Sequence, residues 1–155
     1  MKAKYIVIPV LFLGAGFLYY SNKINQWKLQ LPKLITFPTA LKNATIKGGS
    51  INATIDIAIK NPTNTAFKPD GLIAILKRIN VYTPSNKLIA TVQVNKSSLT
   101  IPANGTTTIK DLVIQVPIFQ NLININEFKN IIKNKSFKDI RTESVISVLG
   151  KEYIV

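Results

Sequence analysis

The side chains that could carry acid–base or metal chemistry in this chain are few, and their spacing matches no familiar site. The 155 residues include no histidine and no cysteine, so the commonest general base, metal ligand and thiolate are missing. Seven carboxylates remain, at Asp56, Asp70, Asp111, Glu127, Asp139, Glu143 and Glu152. No two stand at the spacing of a calcium loop or an adjacent acid pair. We therefore expect no enzyme activity, no cofactor, no metal and no small-molecule substrate. An enzyme stays an alternative, since carboxylates distant in sequence can meet in space.

The net charge of +13 has two interpretations. One is attraction to phosphate, in nucleic acid or anionic lipid, or to an acidic polymer. The other is a lysine-, asparagine- and isoleucine-rich composition typical of an AT-rich genome. Lysines are spread along the whole chain. Arginine is the side chain best suited to specific phosphate recognition, and the sequence has only two, Arg78 and Arg141. We expect nucleic acid to be bound only non-specifically, if at all.

An apolar segment near the N-terminus predicts a membrane anchor. Residues 5–22 carry no charge. The length of this segment is at the short end of the roughly 17–25 residues that a transmembrane helix needs. Lysines flank both sides, and tyrosines stand at both ends, as in interfacial belts. The residues expected in this anchor include Tyr5, Ile6, Val10, Leu13, Phe17, Tyr19 and Tyr20. We expect a single-pass protein with residues 1–22 as anchor, the N-terminus inside and the following domain outside.

Two alternatives for the anchor stay open. A cleaved signal peptide also has a basic start and an apolar middle, but no small-residue cleavage site follows this apolar run. A buried core helix normally has a polar face, which this segment lacks. Residues 23–38 are predicted to be a spacer, because polar residues are frequent there and Pro32 and Pro38 break regular structure. Trp27, the single tryptophan, is expected at the lipid headgroup level or, alternatively, against the edge of the domain.

From residue 39 to residue 155 the pattern is that of a β domain. Between Ile51 and Lys60, apolar residues such as Ile55 and Ile57 alternate with polar ones such as Thr54, which is typical of a strand with one buried face. Glycine, proline and asparagine turn signals separate further strands of the same kind. The predicted strands cover residues 40–47, 51–60, 72–82, 87–95, 106–116 and 144–149, with a continuation to 155 after a turn at Gly150.

One helix interrupts this pattern. Ile125, Phe128, Ile131 and Ile132 form an apolar stripe at helical spacing, after a capping arrangement of Asn124 and Glu127. Six or seven short strands with a turn every ten or so residues predict a mainly β protein with an antiparallel sandwich fold. The helix is expected across one open end of the sandwich.

Two motifs in a fixed order add a family resemblance. The Ile-rich strand ends in Asn61-Pro62-Thr63, and some forty residues later the chain reads Ile101-Pro102-Ala103-Asn104-Gly105. With the intervening strands and the closing strand, residues 40–155 resemble the late embryogenesis abundant proteins of group two, also called water-stress-and-hypersensitive-response domains. The apolar N-terminal segment in front of them fits the same resemblance. The resemblance implies an immunoglobulin- or fibronectin-like sandwich of about seven strands with one short helix, often behind an N-terminal membrane anchor. It implies no catalytic residues.

Within these motifs, Asn61, Pro62, Ile101, Pro102 and Gly105 are expected to be structural, as turn and strand-ending residues. The resemblance links the chain to stress protection, membrane association and protein partners. We expect a non-enzymatic, membrane-tethered interaction or envelope module whose partners are the lipid bilayer and another protein. The alternative is a structural subunit of a membrane-containing virus particle or envelope machine, whose basic face contacts lipid, nucleic acid or acidic protein.

Overall fold

The protein is mainly β, with its strands in two antiparallel sheets. The computed structural model describes residues 21–69, 74–118, 126, 130, 133 and 139–155. The strands in this part are β1 (Ile35–Lys47), β2 (Ser50–Lys60), β3 (Ala74–Tyr82), β4 (Leu88–Lys96), β5 (Thr106–Pro117), β6 (Arg141–Val148) and β7 (Lys151–Ile154). One sheet has the order β1-β2-β5 and the other the order β4-β3-β6-β7. The prediction of a mainly β protein with antiparallel sheets is confirmed.

Strand β2 shows why the alternating pattern predicted the register correctly. Its isoleucines at 51, 55, 57 and 59 and Ala53 are at most 4% exposed and point into one hydrophobic core. Glycines 48 and 49, with φ angles of 59° and 72°, form the two-residue turn that joins β1 to β2. Such turns need positive φ at both positions, which glycine adopts without strain.

The core lies between the two sheets and is completed by the loops. Ile55 and Ile57 of β2 join Leu76 and Ile79 of β3, all fully buried, in a single apolar cluster. Phe67, Leu99 and Ile101 come from connections between strands and are at most 2% exposed. These loop residues extend the core beyond the side chains of the two sheets.

The predicted spacer over residues 23–38 is instead regular structure. Residues 21–30 form a helix, α1, followed by a 3-10 turn over Leu31–Lys33 and by β1, which starts before the expected boundary at 39. The helix forms because Ile24, Trp27 and Leu31 fall on one face and pack against the core. Pro32 stands at the start of the 3-10 turn, where no backbone donor is needed.

The helix predicted after β5 lies mostly outside the described residues. Asn126, Asn130 and Lys133 are helical and exposed, as expected for the polar side of that helix. Its apolar stripe and its capping residues, with the turn at residues 70–71, lie outside the described part of the chain.

The outer strands of both sheets are irregular along their edges. Strand β1 shifts register between Pro38 and Ala40 and again between Lys42 and Thr45. Strand β5 has a bulge opposite Asp56, and β7 has only four residues. Bulges, edge prolines and short edge strands all interrupt the row of backbone groups with which another strand would pair.

Candidate functional site

Asn61 connects the two sequence motifs. Its side-chain nitrogen donates to the backbone oxygens of Thr65 (2.8 Å) and Pro102 (3.2 Å). Its side-chain oxygen accepts from the backbone N–H of Thr63 (3.1 Å) and lies 2.7 Å from the Thr63 hydroxyl. Its own backbone N–H donates to the carbonyl of Gly105 (2.9 Å). The side chain is fully buried, and both of its amide protons and both acceptor positions of its oxygen are occupied.

The second motif is a tight turn held against the first. Phe67 and Ile101 exchange two backbone hydrogen bonds of 2.9 and 2.8 Å, and the Asn104 N–H donates to Thr63 at 2.8 Å. Asn104 has a φ of 50°, a left-handed conformation that asparagine tolerates better than most residues. A Cβ added to Gly105 would lie 2.8 Å from the Pro102 Cβ, so only glycine fits without a shift.

The five motif residues thus have different positions in one assembly. Asn61, Pro102 and Gly105 are joined by hydrogen bonds, Ile101 is buried beside them, and Pro62 is exposed. We call this assembly of residues 61–67 and 101–105 the asparagine latch. It ties the end of β2 to the start of β5, and every hydrogen-bonding atom of the Asn61 side chain is engaged within the latch.

A second polar cluster lies on the outer face of the three-stranded sheet. Lys42 Nζ lies 2.7 Å from one Asp56 carboxylate oxygen and 3.2 Å from an Asp111 oxygen. The other Asp56 oxygen accepts the Asp111 backbone N–H at 2.8 Å. This N–H and then Lys42 lower the pKa of Asp56, while hydrogen bonds to Asp56 and Asp111 raise the pKa of Lys42.

Strand alternation placed Asp56 on the outer face, but the sequence did not indicate that it is only 7% exposed. The residue is buried because β5 bulges opposite it, where Asp111 has a φ of 54° and directs its N–H at the carboxylate. One sequence signal pointed to this cluster, namely a carboxylate in the middle of an Ile-rich strand.

Both arginines lie on the outer face of the four-stranded sheet and pair with glutamates. Arg78 makes two parallel hydrogen bonds to Glu152, of 2.9 and 2.8 Å, which lower the pKa of that carboxyl. Arg141 lies 2.9 Å from Glu143 and 4.4 Å from the centre of the Tyr82 ring. The Tyr82 hydroxyl donates to Glu143 at 2.7 Å, and this bond, followed by burial, raises the pKa of Tyr82.

The two arginines therefore already have carboxylate partners in the folded protein. The excess positive charge is carried by lysines, which bind phosphate as point charges without the bidentate geometry of arginine. Among residues 21–69, 74–118, 126, 130, 133 and 139–155, no group of three or more acidic, histidine or cysteine side chains could hold a metal ion.

The predicted anchor residues, Tyr5 to Tyr20, lie outside the described part of the chain. From residue 21 onward, the described residues contain no helix with the length and apolar character to cross a membrane. The expectation that Trp27 lies at the headgroup level was wrong, and the alternative of packing on the domain is correct. Trp27 is 7% exposed and belongs to the core, together with Leu31 and Leu34.

Comparisons with known proteins identify no family for this chain. No protein-family model matches it, and no curated protein matches it either. A solved structure described as a protein from Archaeoglobus fulgidus is similar over 79% of this chain and 86% of its own, at 8% sequence identity and a TM-score of 0.34. A TM-score this low carries no argument about fold family or function.

Proposed function

We propose that this protein is a non-enzymatic interaction module that a single N-terminal helix holds at a membrane surface. The observation that carries the proposal is the way in which α1 packs on the sandwich. Trp27, Leu31 and Leu34 are buried in the core, and the described helical residues 21–30 overlap the end of the predicted membrane span of residues 5–22 at residues 21 and 22. The anchor and the domain would then form one continuous body with no loose linker.

The polar groups of the described chain support a binding role. The asparagine latch uses the two amide protons and the two acceptor positions of Asn61 to hold two loops together. The charged clusters around Asp56, Arg78 and Arg141 are internally paired. A partner would therefore bind to the surface of the domain, that is, to the two outer sheet faces or the loops between the strands.

The fold-level part of the proposal is an immunoglobulin- or fibronectin-like sandwich related to the water-stress-and-hypersensitive-response domains. It is supported by the strand order, in which β1-β2-β5 faces β4-β3-β6-β7. The contacts that join Asn61 to the turn at Pro102–Gly105 give the two resembling motifs a common structural purpose.

The test is membrane extraction of the full chain and of a matched chain that lacks residues 1–20. We expect the full chain to stay with the bilayer after alkaline carbonate washing, and the shortened chain to be released. Intact mass measurement of the membrane fraction should show an uncleaved N-terminus. Recovery of a soluble chain that begins near residues 17–25 would overturn the proposal in favour of a signal peptide.

The alternative function is that of an assembly subunit with a basic contact face. A salt titration of DNA binding distinguishes it from the proposed interaction module. Lysine-driven binding to DNA weakens steeply with salt, and exposed charges more than roughly 8 Å apart are largely screened at about 150 mM. We expect the shortened chain to lose DNA binding there. Sub-micromolar binding that persists at this salt concentration would favour the alternative.

A further inference from the structure

The segment that follows the predicted anchor has two faces of different character. One face, formed by Trp27, Leu31 and Leu34, is at most 7% exposed and packs into the sandwich core. A helix stripe of this kind explains why α1 is attached to the domain. Between residues 28 and 35 it leaves Lys28, Leu29, Pro32, Lys33 and Ile35 at the surface.

The exposed residues of the same segment combine lysines with large apolar side chains. Lys28 and Lys33 are exposed, Leu29 is 71% exposed and Ile35 is 49% exposed. We call these four residues the basic-apolar face. Single exposed leucines are common on protein surfaces, but alternating lysine and large apolar residues directly after a membrane span are typical of segments that lie at the lipid headgroups.

The charge of the whole N-terminal part favours the same environment. The sequence contains no carboxylate before Asp56, and the lysines before that residue are Lys2, Lys4, Lys23, Lys28, Lys33, Lys42 and Lys47. Asp56 itself is already paired with Lys42. The basic-apolar face therefore has no acidic neighbour in sequence, and anionic phospholipid headgroups complement its charge.

We propose that the basic-apolar face rests on the anionic phospholipid surface from which the anchor emerges, so that the sandwich is held in one orientation against the bilayer. This inference rests on the proposed membrane anchor. The anchor makes the contact intramolecular, so a few lysines suffice, even though a free domain would bind the same lipids only weakly. Because Trp27 fixes α1 to the core, the domain must follow the orientation of the helix.

The test uses the full chain in vesicles of phosphatidylcholine, with or without phosphatidylglycerol. The chain has no cysteine, so single labels can be introduced at Leu29→Cys and Ile35→Cys, with Val113→Cys as a control of matched exposure, 69% against 71% for Leu29. Val113 pairs with Thr54, whereas Ile35 pairs with Lys60 at the far end of the same sheet. The readout is quenching of an environment-sensitive label by headgroup spin-labelled lipid.

We expect quenching at residues 29 and 35 but not at residue 113. The quenching at residue 35 should fall at least twofold without phosphatidylglycerol, and equally in a Lys28→Gln/Lys33→Gln variant. Quenching confined to residue 29, or equal quenching at all three sites, would overturn the proposed orientation. Quenching at residue 35 that does not depend on lipid charge would overturn the role of the lysines, because the apolar side chains alone would then hold this face on the lipid. Vesicle flotation tests the membrane anchor separately from the docking of the basic-apolar face. A chain that fails to float with the vesicles is not anchored, which refutes the proposed function. A chain that floats without quenching at residue 35 refutes only the docking.

Discussion

Replacing Asn61 should destabilise the protein in a way that depends on pH. In Asn61→Ala, the bonds to Thr65, Pro102 and Thr63 are lost. The Pro102 carbonyl keeps a donor, the Gly105 N–H at 3.1 Å. The Thr63 hydroxyl, once the Asn61 oxygen is removed, can donate its single proton to the Thr65 oxygen, which lies 3.0 Å away. The cost is therefore that of about four modest hydrogen bonds at about 0.5–1.5 kcal/mol each, or about 2–6 kcal/mol in total.

Asn61→Asp has the same shape but a different cost. Its second carboxylate oxygen would replace a donor and face the carbonyl oxygens of Thr65 and Pro102 at 2.8 and 3.2 Å. Burial and these oxygens raise the pKa of the new carboxyl in the folded state above its unfolded value near 4. Such a group is tolerated at low pH, where it is protonated and can donate, and its cost grows as the pH rises above the unfolded pKa.

We therefore expect the two variants to change order with pH. At pH 7 the aspartate variant should be the less stable of the two, and near pH 3 the more stable. The assay is urea unfolding followed through the fluorescence of Trp27, which is buried and is the single tryptophan. Asn64→Asp, an exposed substitution in the same loop, is the matched control and should change stability by less than about 0.5 kcal/mol. If Asn61→Asp is as stable as the native chain at pH 7, the latch does not use the amide protons of Asn61.

Three further predictions concern single side chains. Leu149→Asn should raise the free energy of unfolding by about 1 kcal/mol, because Leu149 has a φ of 50° in the β6–β7 turn and asparagine adopts positive φ at less cost than leucine. Leu149→Ala should change the free energy of unfolding little, and urea unfolding of both variants is the measurement. The lowered pKa of Asp56 means that its stabilisation is present above the unfolded pKa near 4 and is lost as the pH falls through the folded value. Asp56→Asn should therefore flatten the acid limb of a melting temperature–pH profile; an unchanged limb would exclude Asp56 as its source. Ile55→Ala should cost about 2–5 kcal/mol, and Thr54→Ala, on the outer face, less than about 1 kcal/mol; equal losses in thermal unfolding would contradict the register of β2.

The parts of the fold that follow from local pattern were predictable from sequence. The alternation from Ile51 to Ile59 determines which side chains of β2 are buried, because successive residues of a strand point to opposite faces. Turn residues such as Gly48 and Gly150 have positive φ where the sequence predicted turns. The structural role expected for Asn61 is consistent with its hydrogen bonds.

The remaining features depend on contacts between distant residues. The apolar stripe of α1 fits a membrane interface and a sandwich core equally well, and only the core contacts of Trp27 distinguish them. The bond from Asn61 to Pro102 joins residues 41 apart, so no local pattern shows its partner. Asp56 is buried by a bulge on a strand 55 residues away, at Asp111, which an alternation rule treats as regular.

The irregular edges of the sheets have a consequence for crowding. Copies of a tethered protein diffuse in two dimensions and meet far more often than copies free in solution. A straight, exposed edge strand under those conditions would template growth of a continuous sheet from copy to copy. The register shifts at Pro38 and Lys42 in β1 and along the pairing of β4 with β3, the bulge at Asp111 and the shortness of β7 disfavour this zippering. If the chain is tethered as proposed, neighbouring copies would meet through side chains and remain separate molecules even in a dense layer.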